Sequence, residues 1–186
     1  MKNAIYLEKI ISELSDNAKL VSEAELQSFA DSILAAQRIF VSGAGRSGFI
    51  SRAFSNRLMH LGLKVYFIGE PTTPSIKQDD LLIIGSGSGG TDSLVAMALK
   101  ARDIGAKIAL LTIFPNSTIG QIANHIVTVP GETPKSNLEN SFTSFQPMGN
   151  LFEQLSWLVY DSIIIMLKEK LDISSEEMFS RHANLE

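Results

Sequence analysis

Two glycine-rich loops contain most of the residues in this chain that could carry out chemistry. Residues 42–48 read SGAGRSG and residues 86–91 read SGSGGT, and each loop lies between an apolar stretch and a helical pattern. Backbone N–H groups at a helix start lack intrahelical partners and carry roughly half a positive charge, so they bind anions well. Further donors are the hydroxyls of Ser47, Ser86, Ser88 and Thr91. Each loop therefore predicts a phosphate-binding site.

A second chemical candidate is Glu153, which lies where an irregular stretch at 130–149 meets an apolar helix. Long connections of this kind in compact domains often carry function. In the first turn of a helix, a glutamate can either interact favourably with the helix dipole or act chemically. The spacing alone leaves both roles open.

Strand and helix patterns alternate along most of the chain, which is typical of βαβ crossovers and a parallel sheet covered on both faces. The predicted strands are residues 39–42, 64–68, 81–84, 107–112 and 125–129. The predicted helices are residues 4–20, 23–36, 47–61, 92–104 and 118–123. Ser22 and Glu25 have the spacing of a capping box at the start of the second helix. We predict an α/β fold, a three-layer αβα sandwich with a five-stranded parallel sheet of flavodoxin-like order 2-1-3-4-5.

This strand order strengthens the interpretation of the two loops. One such loop could be only a tight turn with a helix cap. The order 2-1-3-4-5, however, places the first and third strands side by side, and these are the strands that the two loops follow. Both loops then meet at the topological switch point, where ligands bind in this architecture.

Composition excludes several classes of protein. The chain has 186 residues, a formal charge of −4 and no cysteine, which argues against nucleic acid as a partner and excludes disulfides and thiolate zinc sites. The charged residues near Met1 leave no signal-peptide core, so we expect a cytoplasmic protein. The apolar run at 155–167 is shorter than the ~20 residues of a membrane span and contains Asp161. We interpret this run as a subunit interface.

The three histidines show no metal-ligand spacing, and we expect no metal and no cofactor. His60 ends a predicted helix, where a positive charge suits the helix dipole, and His125 begins a strand. His182 lies near the end of the sequence, after the apolar residues Met178 and Phe179, which could anchor this tail to the protein.

Several short motifs, taken in order, resemble those of the SIS (sugar isomerase) domain and, more closely, of the 6-phospho-3-hexuloisomerase family. They are residues 43–48 (GAGRSG), 57–62 (RLMHLG), 69–74 (GEPTTP), 86–91 (SGSGGT), 147–149 (PMG) with Phe152 and Glu153, and 181–186 (RHANLE). Each motif is short, but their order and spacing together are specific. One departure is Gly90, where the family often has an acidic residue, and it bears on the fine contacts with substrate.

The resemblance implies an isomerase that interconverts D-arabino-3-hexulose 6-phosphate and D-fructose 6-phosphate, a step of formaldehyde fixation by the ribulose monophosphate pathway. The implied substrate-binding residues are Gly45, Arg46, Ser47, Ser86, Gly87, Ser88, Gly89, Gly90 and Thr91. Glu153 is implied as the catalytic base, and His182 as the donor to the enediolate, in its own or a neighbouring subunit. Moving the carbonyl from C3 to C2 passes through a cis-enediol, which one carboxylate over both carbons can serve.

The expected organisation is one SIS domain at 1–186, with N-terminal helices at 1–37, a core at 38–170 and a C-terminal tail at 171–186. We expect a homo-oligomer, with a tetramer as the predicted assembly, that pairs functionally with 3-hexulose-6-phosphate synthase. Three other functions stay open: an isomerase of another phosphosugar, a non-catalytic sugar-phosphate sensor, and a dinucleotide-dependent oxidoreductase. The last is suggested by the GxGxxG spacing of Gly43, Gly45 and Gly48, with Glu70 as the ribose-binding acid.

Overall fold

Five parallel strands form one sheet in the computed structural model, which describes residues 4–134 and 142–185. The strands are β1 (Ile39–Gly43), β2 (Val65–Phe67), β3 (Leu81–Gly85), β4 (Lys107–Thr112) and β5 (His125–Thr128). Their spatial order is β2-β1-β3-β4-β5. The central strand β3 is apolar and buried along its length, as a parallel sheet covered on both faces requires. The predicted fold class and strand order are confirmed.

Helices cover both faces of this sheet. They are α1 (Ile5–Ala18), α2 (Glu23–Ala35), α3 (Gly45–His60), α4 (Asp92–Ile104), α5 (Asn150–Lys170) and α6 (Ser175–Ser180), with a 3-10 turn at Gly120–Ile122. Helices α2, α3 and α5 pack against one face, on strand residues that include Val41 and Ile83. Helix α4 and the 3-10 turn pack against the other face, on Phe40 and Leu82. Neighbouring residues of a strand point to opposite faces, so each strand supplies both apolar layers.

The boundaries of β1 and α3 differ from the prediction at the first glycine-rich loop. Strand β1 runs one residue further, to Gly43, and α3 begins at Gly45, two residues earlier than predicted. The two elements pack directly on each other here, because a Cβ atom on Gly48 would lie 2.7 Å from the carbonyl oxygen of Gly43. The tight approach leaves only Ala44 between strand and helix. Smaller differences occur in β2, which lacks residues 64 and 68, and in β5, which ends at Thr128.

The predicted helix at 118–123 is wrong, since this segment forms only the 3-10 turn. Its two ends are held by neighbouring elements: the Ile119 N–H donates to the Gly89 carbonyl at 3.0 Å, and the Asn124 N–H donates to the Ile108 carbonyl at 2.8 Å. Between these attachments there is room for one tight turn but not for a full α-helix.

Helix α5 contains the apolar run at 155–167 and is buried along one side by α2 and α3. Its other side is open: Trp157, Leu158 and Ile165 are each about half exposed in this single chain. Helix α1 packs on α5 without burying any of its own residues. Within residues 4–134 and 142–185, no helix combines the length and apolarity that crossing a membrane would need.

Candidate functional site

A cavity of about 480 Å³ lies at the carboxyl ends of β1 and β3, where the two glycine-rich loops converge. The last residues of these strands, Gly43 and Gly85, are register partners in the sheet. Most of the predicted site residues line this cavity, namely Gly45, Arg46, Ser47, Ser86, Gly87, Ser88, Thr91 and Glu153. The fold therefore brings together two loops and a carboxylate that are far apart in the sequence.

Three helices begin at this cavity, and no described side chain caps any of them. The N-cap residues are Ala44 for α3, Thr91 for α4 and Gly149 for α5. Of the helices that do not line the cavity, α2 and α6 are capped by the hydroxyls of Ser22 and Ser174, whereas α1 has no side-chain cap among the described residues. First-turn N–H groups without a cap keep their capacity to bind an anion. The cavity is thus lined by three helix starts that favour negative charge.

The serine hydroxyls of the second loop fix its shape and still have a proton to donate. The Ser86 Oγ accepts from the Gly89 N–H at 3.2 Å, and the Ser88 Oγ accepts from the Gly90 N–H at 3.3 Å. A serine hydroxyl can donate one hydrogen bond while it accepts others. Both side chains can therefore bind an anionic oxygen without disturbing the loop.

Gly89 and Gly90 belong to the second loop but do not line the cavity. Gly89 is buried with φ +58°, and a Cβ atom there would overlap the Ser117 hydroxyl. Gly90 is exposed, and a Cβ atom on it would lie 3.8 Å from its nearest neighbour, the Ser88 carbonyl oxygen. The site has room for the acidic side chain that the resembling family often has at position 90.

Glu153 forms an ion pair with Arg46 across the cavity. The Arg46 Nε donates to the Glu153 Oε2 at 2.5 Å. The Glu153 side chain is 14% exposed and that of Arg46 is 68% exposed. Glu153 lies in the first turn of α5, where its negative charge suits the helix dipole, so both roles that the sequence left open are compatible with its position. The carboxylate faces the cavity and contacts the opposite loop.

His182 lies away from this cavity within its own chain. Its ring stacks on that of His60 at 5.3 Å between centroids, in a second cavity of about 470 Å³ that extends along α3 from Phe49 to His60. His60, the last residue of α3, lies about 22 Å along the helix axis from Gly45, which begins α3 at the first cavity. A catalytic role for His182 stays a prediction, and it requires the site of a second copy of the chain.

The C-terminal tail is held against the end of α3. The Arg181 Nη1 donates to the His60 carbonyl at 3.0 Å, and Met178 packs against the core. Phe179, which we expected to anchor the tail, is 77% exposed. Arg181 thus supplies the positive charge at this helix end that we expected from His60.

The surroundings of His60 oppose the positive charge that we expected it to carry. Its side chain is buried, and this burial, together with the charges of Arg57 and His182, lowers its pKa from the ordinary value of 6.5. A buried imidazole near other cationic groups favours the neutral form. Burial, together with Lys107, also lowers the pKa of His125.

Sequence reasoning missed several residues that line the cavity. Glu132 and Thr133, from the stretch after β5, and Met148 and Asn150, at the start of α5, lie on its wall. Asn150 could have been found, because residues three apart on a helix share a face with each other. Met148 has φ +60°, a conformation that non-glycine residues seldom adopt outside functional or strained sites. Residues 135–141 of the same stretch lie outside the described residues.

Two further polar side chains lie between the strand ends and the helices. The hydroxyls of Ser51 and Tyr160 are buried and form no hydrogen bond of acceptable geometry with the described residues. Burial raises the pKa of Tyr160 to about 12, and the neighbouring Ser51 hydroxyl acts in the opposite direction. A Cβ atom on Gly85 would lie 3.0 Å from the Tyr160 hydroxyl, so this strand end needs glycine. Apart from the residues that the structure leaves undescribed, no three His, Asp or Glu side chains are grouped to hold a metal ion.

Comparisons with known proteins agree with this geometry. The SIS domain family model matches residues 32–156, which include both loops and Glu153. The chain is 46% identical to the 3-hexulose-6-phosphate isomerase of Bacillus subtilis (strain 168), over 100% of both proteins. It is 38% identical to the 3-hexulose-6-phosphate isomerase of Mycobacterium gastri, over 97% of this chain and 89% of that relative. The chain belongs to the SIS family of 3-hexulose-6-phosphate isomerases.

A solved structure also resembles this SIS protein closely. It comes from Methanococcus jannaschii and is described as inferring a molecular function of 3-hexulose-6-phosphate isomerase. The two structures superpose with a TM-score of 0.83 and 34% sequence identity, over 95% of this chain and 98% of that chain. The family that the sequence motifs suggested is confirmed.

Proposed function

We propose that this SIS protein interconverts D-arabino-3-hexulose 6-phosphate and D-fructose 6-phosphate through a cis-enediol. The observation that carries the proposal is the meeting of three uncapped helix starts and one carboxylate, that of Glu153, in a single cavity. The names of the relatives from B. subtilis and M. gastri support the same reaction.

The phosphate end of the substrate binds at the starts of α3 and α4. Their first-turn N–H groups surround the dianion, and the hydroxyls of Ser47, Ser86, Ser88 and Thr91 donate to its oxygens. These backbone and hydroxyl donors bind the phosphate and do not distinguish one sugar from another. Specificity for the sugar must come from the remainder of the cavity, where Glu132, Thr133 and Asn150 offer polar groups.

The reacting carbons of the substrate lie beneath Glu153. In the direction from 3-hexulose 6-phosphate, the carboxylate takes the proton from C2 and returns it to C3 as the carbonyl moves. The low exposure of the Glu153 side chain limits competition from water for this proton. This arrangement requires no metal ion and no redox cofactor.

We also propose that the enzyme acts in the cytoplasm as a homo-oligomer, with a tetramer as the predicted assembly, and pairs functionally with 3-hexulose-6-phosphate synthase. An apolar cavity of about 450 Å³ supports the association of subunits, because Leu14, Phe49, Trp157 and Leu158 line it beside Glu153. A second copy that covers these residues would shield Glu153 from water and could bring its own His182 to the site. Light scattering should then give the mass of an oligomer, and Trp157→Lys should reduce both that mass and the turnover.

A substrate panel tests the proposed reaction. Purified protein is assayed with 3-hexulose 6-phosphate, arabinose 5-phosphate and sedoheptulose 7-phosphate, and binding of fructose 6-phosphate and NADH is measured by calorimetry. We expect kcat/KM for 3-hexulose 6-phosphate to exceed the other two by about 100-fold or more. Preference for another sugar would indicate a different phosphosugar isomerase. Binding of fructose 6-phosphate without turnover would indicate a sensor, and selective binding of NADH an oxidoreductase.

A further inference from the structure

Arg46 contacts the proposed base, although it lies in the loop that is proposed to bind phosphate. Its Nε donates to the Glu153 Oε2, and the two residues are 107 positions apart in the sequence. This contact places the guanidinium beside the carboxylate at the reacting end of the cavity. The phosphate end already has the N–H groups of α3 and α4 and four hydroxyls as donors.

We propose that Arg46 is a catalytic residue whose guanidinium stabilises the enediolate oxygen beside Glu153, rather than a ligand of the substrate phosphate. The proposal rests on the proposed function of the chain as a phosphosugar isomerase. It assigns to Arg46 a role at the keto group, where the resemblance implied only substrate binding.

The guanidinium has donors left for a substrate oxygen. Arginine carries five N–H donors in a planar fork, and the contact with Glu153 uses the one on Nε. The Nη1 and Nη2 groups make no hydrogen bond to any of the described residues, and the Arg46 side chain is 68% exposed. A substrate oxygen next to the Glu153 carboxylate can therefore meet the outer edge of the same guanidinium.

The charges in the cavity point the same way. Among the described residues that line it, Arg46 is the only basic one. Proton abstraction by Glu153 creates an oxyanion on the substrate, and fixed donors at a developing negative charge are a large source of rate enhancement. His182, the donor implied by the resemblance, lies at the other end of α3 in its own chain. Within one subunit, Arg46 is thus the cation placed to stabilise that oxyanion.

The proton and electron movements balance without any further reactant. The Glu153 Oε1 takes the C2 proton, the C–H electron pair forms the C2=C3 bond, and the C3=O π pair moves to O3 beside Arg46. The O2 proton then passes to O3 across the cis-enediol, and the C2=O bond forms as C3 takes the proton back from Glu153. The guanidinium stays protonated throughout, as its high pKa requires.

Chemical rescue of an Arg46 variant tests this role. Arg46→Ala and Arg46→Lys are compared with wild type for kcat, for the Kd values of fructose 6-phosphate and inorganic phosphate, and for activity with added guanidinium chloride at low millimolar concentration. Arg102→Ala is the matched control, because Arg102 is an exposed arginine on α4 whose guanidinium pairs, among the described residues, only with the neighbouring Asp103. Circular dichroism confirms that each variant is folded.

We expect kcat of Arg46→Ala to fall about 100-fold or more, as for loss of an oxyanion donor, while both Kd values change less than about threefold. Free guanidinium should restore part of the turnover, since the site is exposed, and should have no effect on Arg102→Ala. The proposal is overturned if both Kd values rise tenfold or more while kcat stays within threefold, which is the result for a phosphate ligand. Wild-type protein that binds fructose 6-phosphate without turnover refutes the proposed function instead.

Discussion

Replacing Gly89 by alanine places a methyl group where the second loop has no room for it. Gly89 has φ +58°, and the new Cβ would overlap the Ser117 Oγ and lie 2.5 Å from the Ser117 Cβ. Ser117 is itself buried, and rotation of its side chain would move the Oγ but not the Cβ. The loop must shift, and this shift disturbs the bonds from the Gly89 N–H to Ser86 and from the Ile119 N–H to the Gly89 carbonyl.

The cost of Gly89→Ala can be estimated from three contributions. The left-handed conformation costs a non-glycine residue about 1–2 kcal/mol, and overpacking a buried site adds about 1–3 kcal/mol. Alanine also reduces the conformational entropy of the unfolded chain, which stabilises the folded state by about 0.4–1 kcal/mol. We expect the free energy of unfolding to fall by about 1–4.6 kcal/mol, which corresponds to a decrease in Tm of roughly 2–18 °C for a chain of this length.

Gly90→Ala is the matched control, since the two glycines are adjacent in one loop and the Gly90 Cβ would meet nothing closer than 3.8 Å. Its unfolding free energy should stay within about 0.5 kcal/mol of the wild type. Calorimetric Tm values and the Kd of fructose 6-phosphate are measured for both variants. Gly89→Ala should also weaken binding by about tenfold or more, because its shift moves Ser86. Equal Tm values for the two variants would refute this account of the loop.

Other consequences of the structure can be checked by thermal unfolding. Arg38→Met leaves the nearly buried Asp80 carboxylate without its cation and should lower Tm by about 6 °C or more. Arg52→Met breaks an exposed ion pair and should change Tm by less than about 2 °C. Similar Tm shifts for the two variants would contradict the greater importance of the buried pair. Folding lowers the pKa of His60, so near and below pH 6.5 the unfolded chain binds more protons than the folded chain. Tm should therefore decrease as the pH is lowered from 7.5 to 5. His60→Gln should flatten that slope but not abolish it, since the pKa of His125 is lowered too; an unchanged slope would show that His60 does not contribute.

The elements that carry the site could be predicted because their signals are local. Apolar runs such as Leu81–Gly85 mark buried strands, and glycines mark the turns that follow them. Once the strand order was inferred, the meeting of both loops at one edge of the sheet followed from topology. The prediction failed at 118–123, where attachments to Gly89 and Ile108 override a short helical pattern.

Side-chain partners across long sequence separations could not be predicted. Ser22 accepts from the Glu25 N–H as a capping box requires, but the Glu25 carboxylate accepts instead from the Thr128 N–H at 2.7 Å, 103 residues away. The Arg46–Glu153 pair is of the same kind. Whether a charged group bonds within its helix or to a distant strand depends on packing that a sequence pattern does not contain. Burial, which lowers the pKa of His60, is equally a property of the folded chain.

The most direct test of the central claim compares wild type with Glu153→Gln, which keeps the size of the side chain and removes the base. Turnover of 3-hexulose 6-phosphate and the Kd of fructose 6-phosphate are measured on the same preparations. We expect turnover to fall about 1,000-fold or more while the Kd stays within about threefold, because the phosphate is held by the loops and not by Glu153. Retention of wild-type turnover by Glu153→Gln would contradict the claim that this carboxylate moves the proton.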